Sequence, residues 1–158
     1  MEKPDNQPEK SPGIELKRAT ENDLEQFIEL EKQIGNTRTY SAMISHDEAL
    51  DYLRRSKTYF ITYGDKVVGN VAYEMTGPGK AHVSGIMVIP ECQGRGIGRA
   101  AMEKILDEIK GTSTIDLVTH PDNTRAINLY ESLGFTKGEV KENYYGDGEP
   151  RVVMTLTR

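Results

Sequence analysis

Cysteine is almost missing from this chain: Cys92 is the only one in 158 residues. An internal disulfide is therefore excluded, no second thiol exists to build a cysteine metal cluster, and no metal site is expected. A reducing cytoplasm is the expected compartment. Basic clusters are missing too. With 20 Lys and Arg against 25 Asp and Glu and no block of either basic residue, the chain offers no general polyanion surface, which argues against a nucleic-acid partner. No apolar run approaches the ~20 residues of a membrane span, and the first residues lack the apolar core of a signal peptide. A soluble protein with no membrane partner is the expectation. There is also no internal repeat and no long low-complexity segment.

What is present fits one domain, since 158 residues are enough to bury a core without dividing. Residues 1–13 are rich in Pro, Glu, Lys, Asn and Ser, with almost nothing to bury, and read as a disordered lead to a domain spanning 14–158. A strand at Ile14–Arg18 precedes a helix from about Glu21, with Leu24, Phe27 and Ile28 on one face, and a second helix follows near Asp47–Arg55. Tyr59–Tyr63 and Lys66–Met75 read as a hairpin turning at Gly64-Asp65.

The most telling stretch follows a third strand, His82–Ile89. After Pro90, Gly94, Gly96 and Gly98 stand at alternate positions, and a helical stripe of Met102, Ile105, Leu106 and Ile109 opens directly behind them and closes at Gly111. A helix start has unpaired N–H groups and partial positive charge, so it is a natural phosphate seat. The glycines clear the main chain for a close guest, and Arg95 and Arg99 add cationic donors. A dinucleotide fingerprint needs a third glycine where Arg99 stands, and a P-loop needs Gly-Lys-Ser/Thr, which is absent.

Beyond this loop, Ile115–Thr119 reads as a buried strand. Asp122 or Asn123 caps a helix carrying Ala126, Leu129, Tyr130 and Leu133, which Gly134 closes. Phe135–Tyr145 and Arg151–Leu156 then flank Gly146-Asp147-Gly148 as a closing hairpin. The order β α α β β β α β α β β predicts an α/β (α+β) fold, with a mixed, largely antiparallel sheet flanked by helices.

Gln93-Gly94-Arg95-Gly96-Ile97-Gly98 resembles the Gln/Arg-x-x-Gly-x-Gly/Ala signature of the GNAT superfamily of acetyl-CoA-dependent N-acetyltransferases. Asn123-x-x-Ala126-x-x-Leu129-Tyr130-x-x-x-Gly134-Phe135 resembles its second signature, in the right order and separation. The resemblance covers roughly Ile14 to Leu156. It implies the single-domain GNAT fold, coenzyme A pyrophosphate on the Gly-rich loop, and a strand that splays from its neighbour to admit the pantetheine arm. The cofactor residues it implies are Ile86, Met87, Val88, Gln93, Gly94, Arg95, Gly96, Ile97, Gly98, Arg99, Asn123, Ala126 and Tyr130. Asn123 caps the helix, bonds the pantetheine amide, or does both.

The implied reaction is direct attack of an amine on the thioester in a ternary complex. It needs a base for the amine, a partner for the carbonyl oxygen and an acid for the departing sulfur. The N–H of Met87 or Val88 is the expected oxygen partner. Tyr130 is the expected acid because family members with Tyr at this position use its hydroxyl near the sulfur, although its place on an apolar stripe also makes it a core residue. Three bases stay open. His82 lies eleven residues before Gln93, where the histone acetyltransferase branch carries a glutamate and the arylalkylamine branch a histidine. Alternation places it on one face with Ser84, Ile86 and Val88. Glu74 stands near the end of the preceding strand, and water is the third possibility. His120 reads mainly as a turn residue, and Cys92 as a loop filler with no assigned catalysis.

The terminal hairpin, with Tyr144 and Tyr145, resembles that of the ribosomal-protein and archaeal N-terminal acetyltransferases, whose Tyr pair lines the peptide groove. That favours a peptide or protein amine. Polyamine-type or aminoglycoside-type small amines, or a non-catalytic acyl-CoA sensor, are the alternatives, and a monomer or homodimer is expected from the superfamily. One departure stands out: where ribosomal-protein acetyltransferases place a catalytic glutamate, five residues before the signature Asn, this chain has Val118.

Overall fold

The computed structural model describes residues 13–158; the expected disordered lead lies, but for Gly13, outside them. Thr20 opens the first helical segment with a capping box: its side chain accepts from the Asn22 N–H, while the Asp23 carboxylate accepts from the Thr20 N–H at 2.9 Å. Beyond this turn the elements are β1 (Ile14–Ala19), α1 (Leu24–Lys32), α2 (His46–Arg55), β2 (Lys57–Tyr63), β3 (Lys66–Gly77), β4 (Lys80–Val88), α3 (Ile97–Glu108), β5 (Thr114–Thr119), α4 (Thr124–Ser132), β6 (Thr136–Lys141) and β7 (Arg151–Thr157).

Among the described residues the sheet has seven strands in the order β1-β2-β3-β4-β5-β7-β6, and only β4 and β5 run parallel. The predicted order of elements is thus found. The expected closing hairpin is found, since β6 pairs antiparallel with the last strand, which lies between β5 and that edge strand. The edge strand stops at Lys141, because residues 142–150 turn back through Asn143 (φ 49°), whose side chain holds the Gly148 N–H at 2.7 Å.

Side chains show which helix covers which face. Asn70 of β3 reaches Glu31 of α1, and the ring of Tyr52 on α2 stacks on Phe27 of α1 at 5.6 Å. On the other face Tyr59 and Tyr73 donate to Glu108 of α3, at 2.6 and 2.5 Å. Phe27, Phe60, Ile61, Ile89, Ile105, Ile115, Phe135 and Met154 are buried within the resulting core. Among the described residues no helix is long and apolar enough to cross a membrane.

Burial alone would raise the pKa of Glu108, but the hydroxyls of Tyr59 and Tyr73 and the Lys57 ammonium outweigh it and hold the carboxyl below its ordinary value. A depressed carboxylate contributes stability that is present above the unfolded pKa and lost as pH falls through the folded one. Glu108→Gln should therefore cost about 1 kcal/mol at neutral pH, discounted already for partial exposure. The gap between parent and variant in chemical denaturation should close as pH drops below the ordinary carboxylate range; a gap that widens there contradicts the assignment.

Candidate active site

The site begins where the sheet opens. Parallel pairing between β4 and β5 consists of Lys80 with Thr114, Ala81 with Ile115 and His82 with Asp116, after which the two strands diverge. From Val83 to Val88 the outer edge of β4 is therefore free of a neighbouring strand among the described residues, as the family resemblance implies. Its alternation is fixed by the Ile89 N–H, which bonds to the Val68 carbonyl of β3 at 2.8 Å. Met87 N–H turns the same way, so the peptide groups of Ile86 and Val88 face the opening. Of the two expected oxygen partners, Val88 has its N–H in the slot and Met87 does not. The Gln93 side chain donates to the Val88 carbonyl at 2.9 Å and so ties the loop to this edge.

A β-bulge at Ser84 changes the geometry further. Tyr73 pairs with Val83 and Ala72 with Gly85, which leaves Ser84 as an extra residue. One added residue reverses alternation for everything beyond it. His82 and Ser84 consequently face α1 and α2, whereas Ile86 and Val88 turn towards α3. The single face expected for all four is a point the structure corrects.

The loop after β4 enters α3 through Gly94 (φ 80°) and Gly96 (φ 79°), both in the left-handed region that other residues avoid. Gly96 is the N-cap of α3. Among the described residues no side chain caps that start, and no acidic residue sits in its first turn. Helix α4 contrasts with it, because Asn123 caps that helix by accepting from the Ala126 N–H at 3.2 Å. An uncapped N-terminus without nearby acid is an open anion seat.

A cavity of about 680 Å³ runs from this seat along the open edge of β4. Its walls include Ile86, Met87, Val88, Gln93, Gly94, Gly96, Ile97, Gly98, Arg99, Asn123, Ala126 and Tyr130. Arg95 is exposed and lies outside these walls. Arg99 lines the cavity but is already engaged, by Glu103 at 3.1 Å and by the Ser132 hydroxyl at 2.5 Å. The sequence reading missed Arg125, at the start of α4, which supplies a further cation to the wall. Cys92 is buried in the same wall. The residues fit a long ligand with a pyrophosphate at one end and an extended arm along a strand edge, which is the shape of a coenzyme A thioester.

A second cavity, of about 440 Å³, meets the first at Thr39, Tyr40, Ile86, Asn123, Ala126 and Tyr130. It draws walls from both faces of the sheet, with Phe27, Glu31 and Tyr52 from α1 and α2 and Tyr130 from α4. Only an open sheet permits this. Tyr130 is 6% exposed and its ring meets Phe135 edge-on at 6.0 Å. Among the described residues its hydroxyl has no hydrogen-bond partner, yet no sealed buried side-chain oxygen is left unpaired, so the hydroxyl opens into the cavity. Burial, with Tyr145 nearby, pushes its pKa above the ordinary tyrosine value.

Val118 lines this second cavity where a glutamate was sought, but a carboxylate enters from elsewhere. Glu31, 2% exposed, accepts from Tyr40 Oη, from Asn70 Nδ2 and from the Met43 N–H, all at 2.8–2.9 Å. Burial raises its pKa against the opposing pull of those donors. Through Tyr40 and Met43 it anchors the segment from Thr39 to Met43, which walls the second cavity and whose Thr39 and Tyr40 also wall the first. His120 is also buried here, at 2% exposure. Its Nδ1 accepts from the Asp122 N–H at 3.0 Å, so Nε2 carries the proton and donates to Glu149 at 2.8 Å. Neither ring nitrogen is free.

His82 and Glu74 lie apart from Tyr130. They line a third cavity of about 330 Å³ with Arg55, Ser84, Tyr144 and Tyr145. Arg55, Ser84 and Tyr145 also line the second cavity, so the two adjoin. His82 Nδ1 is held by Asp116 at 2.5 Å, and Glu74 by Arg55 at 3.5 Å. The rings of Tyr144 and Tyr145 meet edge-on at 4.7 Å, with the Arg151 guanidinium 5.1 Å from the centre of Tyr145.

A splayed mixed sheet with an uncapped glycine-rich helix start at the split is the architecture of an acyl-CoA-binding domain. The chain belongs to the acetyltransferase (GNAT) family, whose model matches residues 19–135. It is 40% identical over 82 residues to the [ribosomal protein bS18]-alanine N-acetyltransferase of Escherichia coli K12, a stretch covering 49% of this chain and 55% of that one. Over 78 residues it is 36% identical to an N-alpha-acetyltransferase of Sulfurisphaera tokodaii, covering 48% and 47% of the two chains. The chain thus spans about half the length of the curated relatives it matches. Among solved structures, the ribosomal-protein-S18-alanine N-acetyltransferase of Escherichia coli superimposes with a TM-score of 0.75 at 28% identity, over 92% of this chain and 94% of that one.

Proposed function

We propose that residues 14–158 form one catalytic domain that moves an acetyl group from acetyl-CoA to a primary amine of a peptide or protein, both substrates being bound together. The observation that carries this reading is the junction of the two large cavities at Ile86, Asn123, Ala126 and Tyr130. One cavity fits the thioester and the other has room for an amine. Relatives named for acetylating a ribosomal protein alanine support the peptide acceptor.

Acetyl-CoA supplies an activated acetyl group when bound. The chain's own residues do the rest. The start of α3 holds negative charge, and the slot-facing peptides of Ile86 and Val88 align the arm along β4, with the Val88 N–H placed to take the carbonyl oxygen. Tyr130 keeps its proton, because burial disfavours the phenolate, and gives it to the departing sulfur. The amine's proton leaves through water in the adjoining third cavity to His82, whose Nδ1 is fixed by Asp116 and whose Nε2 is left to receive it. Glu74 shares that cavity but is paired with Arg55.

Initial rates of thiol release from acetyl-CoA test the acceptor class. Short peptides with a free α-amino group should be consumed at least about tenfold faster than their N-acetylated counterparts or spermidine, a difference of ~1.4 kcal/mol in transition-state binding. Faster release with spermidine would move the assignment to small amines.

A further inference from the structure

Tyr52 is a second tyrosine whose hydroxyl opens into the acceptor cavity, and the mechanism above does not use it. Its ring is locked between α2 and α1 by the stack on Phe27 at 5.6 Å, and the residue is 6% exposed. The polar groups around it are paired. Tyr40 donates to Glu31, and the hydroxyls of Ser56 and Ser84 meet at 3.0 Å. Tyr52 Oη has no partner among the described residues, yet it is not sealed away, since no fully buried side-chain oxygen is unsatisfied. A rigid, nearly buried hydroxyl with an open valence on a cavity wall is a seat for a ligand.

The opposing strand is shaped to admit that oxygen. A Cβ on Gly85 would come within 2.7 Å of Tyr52 Oη, while the next nearest atom, Tyr52 Cζ, is 3.8 Å away. Gly85 lies beside the bulge, on the part of β4 that has parted from β5. The absent side chain thus lets the hydroxyl approach β4 at the opening itself. Glu31 and Tyr145 lie close enough to Tyr52 to add to the burial that keeps the phenol neutral. A neutral oxygen with free lone pairs, in the field of a buried carboxylate, favours a guest that donates N–H and carries positive charge.

We propose that Tyr52 is the acceptor-binding residue of this site: its hydroxyl takes a hydrogen bond from the incoming primary amine and fixes the nitrogen opposite Tyr130. This rests on the reading of the second cavity as the acceptor site. Tyr130 would serve the departing sulfur and Tyr52 the arriving nitrogen, so the two hydroxyls should separate kinetically. Loss of the Tyr52 hydroxyl weakens acceptor binding, whereas loss of the Tyr130 hydroxyl slows turnover.

The test is a binding measurement on the CoA-loaded protein, using an alanyl tetrapeptide amide and its N-acetylated form as probes. The unaltered protein should prefer the free amine. Tyr52→Phe keeps the ring and should weaken free-amine binding about tenfold, the effect of one lost hydrogen bond, with acetyl-CoA affinity and Tm unchanged. Gly85→Ala should weaken it similarly by displacing the hydroxyl, and should add nothing when combined with Tyr52→Phe. Unchanged peptide affinity in Tyr52→Phe, or additive effects in the double variant, would overturn the role of Tyr52. Equal binding of free and acetylated peptide by the unaltered protein would overturn the amine seat altogether. Preferential binding without thiol release would instead sink only the proposed transfer and leave the seat standing.

Discussion

Replacing Tyr130 with phenylalanine should lower kcat about 10²-fold, the low end of what a positioned general acid contributes, while acetyl-CoA affinity stays within about twofold of the parent. The hydroxyl has no partner among the described residues, so removing it breaks no contact of the fold, and the ring keeps its edge-on packing against Phe135. Stability should hold or rise slightly, because an unpartnered polar group leaves a nearly buried position. Ordinary tyrosine lies near pKa 10, close to a thiol, but burial has moved Tyr130 upwards. The side chain is therefore fully protonated throughout the neutral range, and no ionisation of Tyr130 should appear in the pH–rate profile there. Thiol release measured across pH, with separate fits of kcat and KM, checks this. An unchanged kcat would remove the acid assignment.

The second large effect is expected at Gly96. It caps α3 in a left-handed conformation at φ 79°, which costs a non-glycine residue roughly 1–2 kcal/mol, and more if β-branched. Gly96→Val either keeps the loop strained or relaxes it, turning the free N–H groups away from the anion seat. Acetyl-CoA affinity should fall by at least about tenfold by calorimetry, since 1.4 kcal/mol is a factor of ten, and the acceptor KM should change far less. Normal acetyl-CoA binding by this variant would show that the loop is not the pyrophosphate seat. Gly98 makes a useful control, because a Cβ there would meet Leu129 and Val88 only at 3.8 and 4.0 Å, ordinary contact distances. Its replacement by alanine tests close approach of the ligand without backbone strain.

The glycine-rich side of this site was legible in the sequence because it depends on local signals: glycines at fixed offsets, an apolar stripe behind them and a strand before them. Those features, spread from His82 to Ile109, set backbone shape without help from distant parts of the chain. The second and third cavities were less legible, for reasons visible at particular residues. Counting along β4 puts His82 on one face with Ile86, and the one bulge at Ser84 reverses that count. Sequence alternation carries no mark of a bulge, though Ser84-Gly85 in the middle of an otherwise β-prone run is a faint one.

Glu31 could have been found. It follows Phe27 by four positions and Ile28 by three, on the same helix face, and a carboxylate on an apolar stripe signals a buried, partnered charge. Its partners could not have been found, since Asn70 and Met43 come from elements whose packing only the tertiary fold decides. The Val118 position likewise misleads when read along one strand, because the cavity takes its carboxylate from helix α1 and not from β5.

The measurement that bears most directly on the central claim uses one molecule to occupy both large cavities: coenzyme A joined through its sulfur and an acetyl linker to the α-amino group of a short peptide. If the cavities meet at Tyr130 as a single track, this conjugate should bind at least about 10²-fold more tightly than coenzyme A, because the second half binds intramolecularly. Affinity no better than that of coenzyme A would show that the two cavities do not serve one reaction.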